Sequence, residues 1–222
     1  NITGALNIES NNIEIGTYNN TATGLRSIAI GANTTASNTD AIAMGENTTA
    51  TGISSTAIGK ATNANADGAT SMGNGTTASG VNSTSMGVNT LASGAYSTST
   101  GNNTTASGDN SFSAGANTTA SGERSTATGN NTLAGGISAG STTASGDYST
   151  ASGRSTFSTG NQSFAAGFSS RASGEYSTAM GANSTASGDK SVSIGDSTIA
   201  NSFSEIAIGR HPVAKTGNAT IW

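Results

Sequence analysis

The sequence predicts an all-β protein, built as a parallel β-solenoid whose coils each hold about 14 residues. Glycine recurs at a spacing of seven from Gly24 to Gly209, and two kinds of segment alternate between the glycines. One kind reads NTTASG, as at 103–108, and the other reads SIAIG or STAMG, as at 27–31 and 177–181. A fixed internal period of this kind is typical of solenoids, and it argues against the disorder that a chain rich in Gly, Ser, Thr, Ala and Asn would otherwise indicate.

The first segment, residues 1–24, carries the pattern in an irregular form, and we interpret it as an entry or capping segment. Residues 10–16 have the SIAIG pattern, and the stretch that follows them up to Gly24 is one residue longer than the regular spacing. From 25 to 209 the repeats stay in phase except at one place, so we expect the β-solenoid to occupy this range.

The spacing changes near the middle of the repeats. Gly136, Gly140 and Gly146 are four and six residues apart, which predicts a short coil at 137–146. Residues 210–222 leave the pattern altogether, and we expect them to be an exit into a further module outside this sequence.

Alternation within each half-repeat predicts two short strands per coil. Larger side chains alternate with small ones at period two, which is the period of a strand. One glycine in every seven residues would cost a helix about 1 kcal/mol each, whereas glycine supplies the positive φ of a tight corner. We therefore expect Ala or Ser at each strand centre, as at Ala29 and Ala36, to point into a thin coil that admits only small side chains.

The outward side chains of the two half-repeats differ, and this difference predicts self-association. An Ala and Ser interior buries little apolar area at about 25 cal/mol per Å², so the apolar outward column of the SIAIG half should be buried by other copies of the chain. Composition does not fix how many copies assemble. The predicted interface residues are Ile28, Ile30, Ile42, Met44, Ile58, Met72, Met86, Phe112, Phe164, Met180, Val192, Ile194, Ile206 and Ile208.

Composition argues against several classes of function. The net charge is −4 with eight Lys and Arg, which provides no basic surface for nucleic acid. The sequence has no Cys and one His, and its many Ser residues lack a base partner, so we predict no catalytic site, no cofactor and no metal. Acidic residues recur after glycine, but one carboxylate per coil is too sparse for calcium. These acidic residues are Asp109, Glu123, Asp147, Glu175 and Asp189.

The quoted repeats are similar to a known family. Residues 27–31 (SIAIG), 41–45 (AIAMG), 191–195 (SVSIG) and 205–209 (EIAIG) alternate with S/T-x-A-x-G and resemble the head repeats of YadA-like trimeric autotransporter adhesins, over roughly 10–209. The resemblance implies a left-handed parallel β-roll and a homotrimeric rod packed through the Ile, Val and Met columns. It also implies a virulence-associated adhesin on a bacterial surface, held in the outer membrane by an anchor outside this sequence. Its partners would be an extracellular matrix protein, a glycan or another cell surface.

Two other functions remain open from the sequence. Thr-rich phrases such as 172–181 also resemble the shafts of tail-fibre-type proteins of phages and bacteria, which would place the chain on a virion fibre. A flat Thr column at the strand spacing of about 4.8 Å would instead be typical of an ice-binding solenoid. That column comprises Thr35, Thr49, Thr77, Thr105 and Thr119, and it is interrupted by residues such as Leu91, Phe157 and Arg171.

A further stripe is predicted at the corners. Tyr96, Tyr148 and Tyr176, together with Arg26, Arg124 and Lys190, occupy the second position after a glycine. They should line up along one corner of the solenoid, where they would either contact a ligand or cover neighbouring chains.

Overall fold

The computed structural model describes residues 12–130 and 142–210, and all the regular elements in these ranges are β-strands. The chain forms two compact units, Asn1–Tyr96 and Ser97–Trp222. Each unit repeats one coil, in which a strand of five or six residues, a corner, a strand of two or three residues and a second corner follow one another.

The strands of the first unit are β1 (Ile13–Tyr18), β2 (Thr21–Ala22), β3 (Ile28–Ala32), β4 (Thr35–Ala36), β5 (Ile42–Glu46), β6 (Thr49–Ala50), β7 (Thr56–Lys60), β8 (Asn63–Ala64), β9 (Thr70–Asn74), β10 (Thr77–Ala78), β11 (Thr84–Val88) and β12 (Leu91–Ala92). The strands of the second unit are β13 (Thr98–Asn102), β14 (Thr105–Ala106), β15 (Phe112–Ala116), β16 (Thr118–Ala120), β17 (Thr126–Asn130), β18 (Thr142–Ala144), β19 (Thr150–Arg154), β20 (Phe157–Ser158), β21 (Phe164–Phe168), β22 (Arg171–Ala172), β23 (Thr178–Ala182), β24 (Thr185–Ala186), β25 (Val192–Asp196), β26 (Ile199–Ala200) and β27 (Ile206–Arg210).

Each unit contains two parallel sheets, one of odd-numbered strands and one of even-numbered strands. Ile28 pairs with Ile42 in the odd sheet and Thr35 pairs with Thr49 in the even sheet, so ladder partners are 14 residues apart. The prediction of an all-β parallel solenoid with 14-residue coils is therefore confirmed.

The irregular entry segment contains a β-bulge. Ile13 pairs with Ile28, which is 15 residues on, whereas Tyr18 pairs with Ala32 at the regular offset of 14. The register shifts between Gly16 and Tyr18. This bulge accommodates the one additional residue that the sequence shows before Gly24.

The prediction of a short coil at 137–146 is wrong. Thr118 pairs with Thr142 and Thr126 pairs with Thr150, so these partners are 24 residues apart, ten more than in the neighbouring coils. Strand β17 ends at Asn130 and β18 begins at Thr142, so the additional residues lie between these two strands. Residues 137–141 are outside the described ranges. Glycine spacing measures a coil only where every glycine occupies a corner, whereas the ladder register measures coil length directly.

The interior of the coils consists of small side chains, as predicted. Ala29 and Ala36, the second residues of β3 and β4, are fully buried, and so is Ser85, the second residue of β11. We call this inward position the strand centre. The largest fully buried side chains among the described residues are threonines. Because so little apolar area is buried inside each coil, the parallel ladders and the outer faces must supply much of the stability.

A second set of buried side chains was not predicted. In most coils the residue two positions before the buried Ala or Ser of a strand also points inward, as Ser27 and Thr34 do beside Ala29 and Ala36. Where the strand centre is Ser, its hydroxyl bonds across the coil to the hydroxyl five residues later, at 2.7 Å for Ser85–Thr90. The same pair recurs as Ser71–Thr76, Ser99–Thr104, Ser113–Thr118 and Ser193–Thr198, and in the other half of the coil as Ser158–Ser163.

The two glycines of a coil serve different purposes, which corrects the expectation that both supply a positive φ. Gly101 has a φ of +126°, and a Cβ atom there would lie 2.0 Å from the carbonyl oxygen of Gly115. Gly108 has no positive φ, but a Cβ atom there would lie 2.1 Å from the carbonyl oxygen of Gly122. The first position therefore needs glycine for conformation and space, and the second for space alone.

Candidate binding surfaces

The outward face of the odd-numbered strands, at their first and third positions, carries the predicted interface residues. We call it the odd-strand face. Ile28 and Ile30 are half-buried on either side of the fully buried Ala29, which confirms the predicted alternation. Side chains on this face stack on like positions in the next coil, as Met72 does with Met86.

Exposure along the odd-strand face varies with position. Ile28, Ile30, Ile42, Met44, Ile58, Val192 and Ile194 are half-buried, whereas Met72, Met86, Phe112, Phe164, Met180, Ile206 and Ile208 are exposed. Ile208 is 65% exposed although it is fully apolar. Within each unit, the structure thus places the predicted interface residues on the outward face of the odd-numbered strands, with none of them in the interior of the coil.

The opposite face, formed by the even-numbered strands, carries the predicted Thr column. We call it the even-strand face, and the column on it, formed by the residue before the last small residue of each even-numbered strand, the even-strand column. Thr35 pairs with Thr49 in the first unit, and Thr105 pairs with Thr119 in the second. Asn63 interrupts the column before Thr77. In the second unit the column continues through Phe157 and Arg171, whose guanidinium lies 6.0 Å from the Phe157 ring. The column is therefore a mixed surface with single Thr side chains one coil apart.

The third surface is the column formed by the second residue after each corner glycine, or after the Asn38, Ala66 or Ser202 that replaces it, and we call it the corner column. Its members in the first unit are Arg26, Asp40, Ser54, Gly68, Asn82 and Tyr96, and those in the second are Asn110, Arg124, Tyr148, Gln162, Tyr176, Lys190 and Ser204. All have a left-handed backbone conformation, with φ near +55° to +66°. Gly and Asn adopt this conformation readily, whereas a bulky side chain rarely does. Within each unit, the structure therefore confirms the predicted alignment of the Tyr, Arg and Lys residues and adds that their backbone has a conformation that is strained for bulky side chains.

Side chains of the corner column contact one another from coil to coil. The Arg124 guanidinium lies 5.2 Å from the centre of the Tyr148 ring, and its Nη1 donates to the Tyr148 hydroxyl. Gln162 Nε2 donates to the Tyr176 hydroxyl at 3.2 Å. Even so, Tyr148 and Tyr176 remain 52% and 48% exposed, and Tyr96 is 62% exposed. The aromatic rings are thus held by a neighbour without being covered.

Two of the acidic residues after glycine, Asp147 and Asp189, bind the backbone of the preceding coil. Asp147 Oδ1 accepts from the Glu123 amide at 3.0 Å, and Asp189 Oδ1 accepts from the Glu175 amide at 2.9 Å. Among residues 12–130 and 142–210, no group of three or more His, Cys, Asp or Glu side chains is close enough to hold a metal ion. These carboxylates therefore satisfy corner amides, which accounts for their position after glycine.

One ion pair at the corner column shifts the pKa of both partners. Arg26 Nε and Nη2 donate to the two carboxylate oxygens of Asp40 at 2.6 and 2.5 Å. This bidentate hydrogen bond lowers the pKa of Asp40 below its ordinary value and raises that of Arg26. Both groups face solvent, so salt will screen the interaction.

The other corner explains the abundance of Asn. Asn33 and Asn47 have φ values of 55° and 53°, and the side-chain amide of Asn33 donates to Asn47 Oδ1 at 3.1 Å. Asn103 and Asn117 repeat this geometry at 2.7 Å. Asn suits this column because it tolerates the left-handed conformation and extends the hydrogen-bonded ladder with its side chain.

Within the described ranges there is no helix of the length and hydropathy that a membrane-spanning segment needs.

The repeats of the chain match a known protein family. Six successive segments match the YadA head domain repeat, each over two copies: residues 22–48, 50–76, 78–104, 106–132, 144–170 and 172–198. The interval between the fourth and fifth segments, residues 133–143, falls where the ladder register shows the longer coil. None of the curated proteins compared with the chain matches it significantly. Because the matching segments span well over half of the sequence, the chain belongs to the family of proteins that contain YadA head domain repeats.

Proposed function

We propose that the chain is the head of a homotrimeric surface fibre that attaches a bacterium to a host surface, an extracellular matrix or another cell. Its activity is binding, and the attachment surfaces are the even-strand and corner columns. The apolar odd-strand face, left uncovered in a single chain, is the observation that carries the proposal. Assembly as three copies follows from the resemblance of the repeats to trimeric autotransporter heads.

Apolar exposure supports burial of the odd-strand face by other copies of the chain. Ile, Met, Phe and Val side chains recur on this face from coil to coil, whereas the exposed apolar residues of an ordinary protein surface are scattered singly. Burying an Ile or Met side chain contributes about 1.5–3 kcal/mol. A repeated, coil-by-coil contact can therefore supply the stability that the Ala and Ser interior lacks.

Side-chain size on this face varies from strand to strand. Where the first position of a strand is Phe112 or Phe164, the third position is the small Ala114 or Ala166. Strands β9, β11 and β23 combine Thr with Met, β3 and β27 combine two Ile residues, and β13, β17 and β19 have only Thr or Ser at these positions. We therefore expect the contact between copies to be most apolar at β3 and β27 and more polar at β13, β17 and β19.

Sedimentation of two matched variants tests the assembly. Met86 is 41% exposed on the odd-strand face and Leu91 is 36% exposed on the even-strand face of the same coil. We expect Met86→Asp to lower the trimer's stability or dissociate it, because three carboxylates would be buried together. Leu91→Asp should remain trimeric. A folded, monomeric wild-type chain, or equal effects of the two variants, would refute the proposed interface.

Attachment is tested with beads coated with the purified chain. We expect coated beads to adhere to cultured epithelial cells or matrix-coated plates more than albumin-coated beads do. The Leu91→Asp variant tests whether the even-strand column contributes, since its assembly should be unchanged. If trimeric protein on beads adheres to none of these surfaces, the adhesive function is wrong and a purely structural fibre role is favoured.

A further inference from the structure

We propose that the corner column of the second unit, from Arg124 to Lys190, binds a neutral linear polysaccharide. We call these five residues, Arg124, Tyr148, Gln162, Tyr176 and Lys190, the corner ridge. The proposal rests on the attachment function above and names the ligand class and the surface that would recognise it.

The first argument is conformational. Tyr148 and Tyr176 both have φ of +57°, a left-handed conformation that costs a bulky residue free energy. Equivalent positions in other coils include Asn82, Asn110 and Gly68, which adopt it at little cost, and other positions have polar or charged residues. The corner therefore does not require an aromatic residue. Tyr side chains at this position cost folding free energy relative to Asn or Gly, which is consistent with a role on the surface.

The second argument is the orientation of the rings. Arg124 donates to the Tyr148 hydroxyl and stacks on its ring, while Gln162 donates to the Tyr176 hydroxyl. Each ring is thereby fixed at one end while about half of its surface stays accessible. Fixed aromatic rings reduce the entropy lost on binding, and their apolar faces suit the C–H faces of sugar rings.

The third argument is the hydrogen-bonding groups beside the rings. Asp147 and Asp189 each accept a hydrogen bond through Oδ1 from an amide of the preceding coil, and among the described residues none donates to their Oδ2 atoms. A fixed carboxylate oxygen next to an aromatic ring can accept from sugar hydroxyls. The two Tyr residues are two coils apart, or about 10 Å at the ladder spacing. A linear polymer could contact both rings at once and gain avidity.

Charge and backbone pairing distinguish this ligand from others. Four acidic residues adjoin the ridge, Glu123, Asp147, Glu175 and Asp189, while the ridge itself has two basic residues, so the surface disfavours a polyanion. The backbone amides of Tyr148 and Tyr176 already donate to Glu123 and Asn161 carbonyls at 2.7 and 2.9 Å. A peptide strand therefore finds no free donors at these positions for β-augmentation.

Affinity electrophoresis of the purified native oligomer tests the proposal, with hydroxyethylcellulose and galactomannan as neutral probes. Heparin and poly-L-proline serve as probes of the other ligand classes. We expect a neutral probe to retard the protein, and Tyr148→Asn/Tyr176→Asn to weaken that binding about tenfold or more. Asn relieves the left-handed strain, so this variant should fold at least as well as the wild type.

Two further variants serve as controls. Ser169→Asn/Ser197→Asn introduces the same residue at left-handed positions of the opposite corner and should leave binding unchanged. Tyr148→Phe/Tyr176→Phe keeps the rings and should keep most of the affinity. Sedimentation of each variant should give the wild-type mass.

Several results would overturn the proposal. The proposal is wrong if neither neutral probe retards the protein, or if the Tyr→Asn variant binds as well as the wild type. It is also wrong if the protein prefers heparin or poly-L-proline. Loss of assembly in the Tyr→Asn variant would instead make the ridge an inter-chain contact. If neutral probes fail while coated beads still adhere, the ridge assignment is wrong and the attachment function stands. If the beads fail and the neutral probes bind, the attachment function is wrong and the ridge assignment stands.

Discussion

Buried hydroxyl pairs inside the coils allow a sharp prediction about stability. In β13 the strand centre is Ser99, and its hydroxyl bonds to Thr104 at 2.7 Å. In β7 the equivalent residue is Ala57, and the buried hydroxyl of Thr62 has no hydrogen-bond partner among the described residues. The hydroxyls of Thr48 and Thr156 are likewise buried and unpaired among the described residues, and the residues five positions earlier are also Ala.

The expected magnitudes follow from the cost of leaving a buried hydroxyl unpaired. Ser99→Ala should destabilise the protein by about 1–3 kcal/mol because Thr104 loses its partner. Conversely, Ala57→Ser should stabilise it by about 0.5–1.5 kcal/mol by pairing with Thr62. There is room for the added oxygen, since Ala57 pairs in the ladder with Ser71, whose hydroxyl occupies the same place one coil on.

Equilibrium urea denaturation at a fixed protomer concentration measures both changes, because assembly would couple stability to concentration. The double variant Ser99→Ala/Thr104→Val removes both hydroxyls and should be more stable than Ser99→Ala alone. If Ser99→Ala is neutral, or Ala57→Ser destabilises, or the double variant is the least stable of the set, the pairing rule is wrong.

The remaining predictions concern other parts of the coil. Gly101→Ala should cost about 3 kcal/mol or more in urea denaturation, since its Cβ would lie 2.0 Å from a carbonyl oxygen at φ +126°. Gly75→Asn, at the left-handed corner where other coils have Asn, should change stability by less than about 1 kcal/mol; similar effects of the two variants would contradict the requirement for glycine at Gly101. The lowered pKa of Asp40 stabilises the fold above the ordinary Asp pKa, and this contribution is lost as pH falls through the folded value. Arg26→Gln should therefore raise the Asp40 pKa seen by NMR titration, and an unchanged value would rule out the ion pair as its cause. Glu205 Oε2 accepts from two backbone amides at 2.7 Å at the last described coil, so Glu205→Ala should speed hydrogen exchange of those amides; unchanged rates would show that the carboxylate is not a cap.

The periodic features were the ones that could be predicted from the sequence. Period-two alternation placed Ala29 inside and Ile28 outside, because a strand sends successive side chains to opposite faces. The alignment of Tyr148 and Tyr176 at one corner followed from the repeat length in the same way. The buried threonines were missed because the residue before a strand, such as Thr34, has no alternation signal and turns inward only when the coil closes.

Coil length shows the limit of counting residues. Glycine spacing predicted a short coil at 137–146, whereas Thr118 pairs with Thr142 across a coil ten residues longer than the others. Glycines mark corners only where the backbone needs them, and that need is set by neighbouring coils, as at Gly108 beside the carbonyl of Gly122.

The sequence by itself determined the solenoid, its parallel ladders and its two unlike outward faces, because a repeat of 14 residues with small strand centres fits no helix and admits only small side chains inside. Only the tertiary structure decided which hydroxyls pair across a coil, which glycine needs its conformation and which needs space, and where the backbone of Tyr148 is strained. These features depend on distances between residues of adjacent turns. Such distances exist only once the coil closes and stacks on the next one.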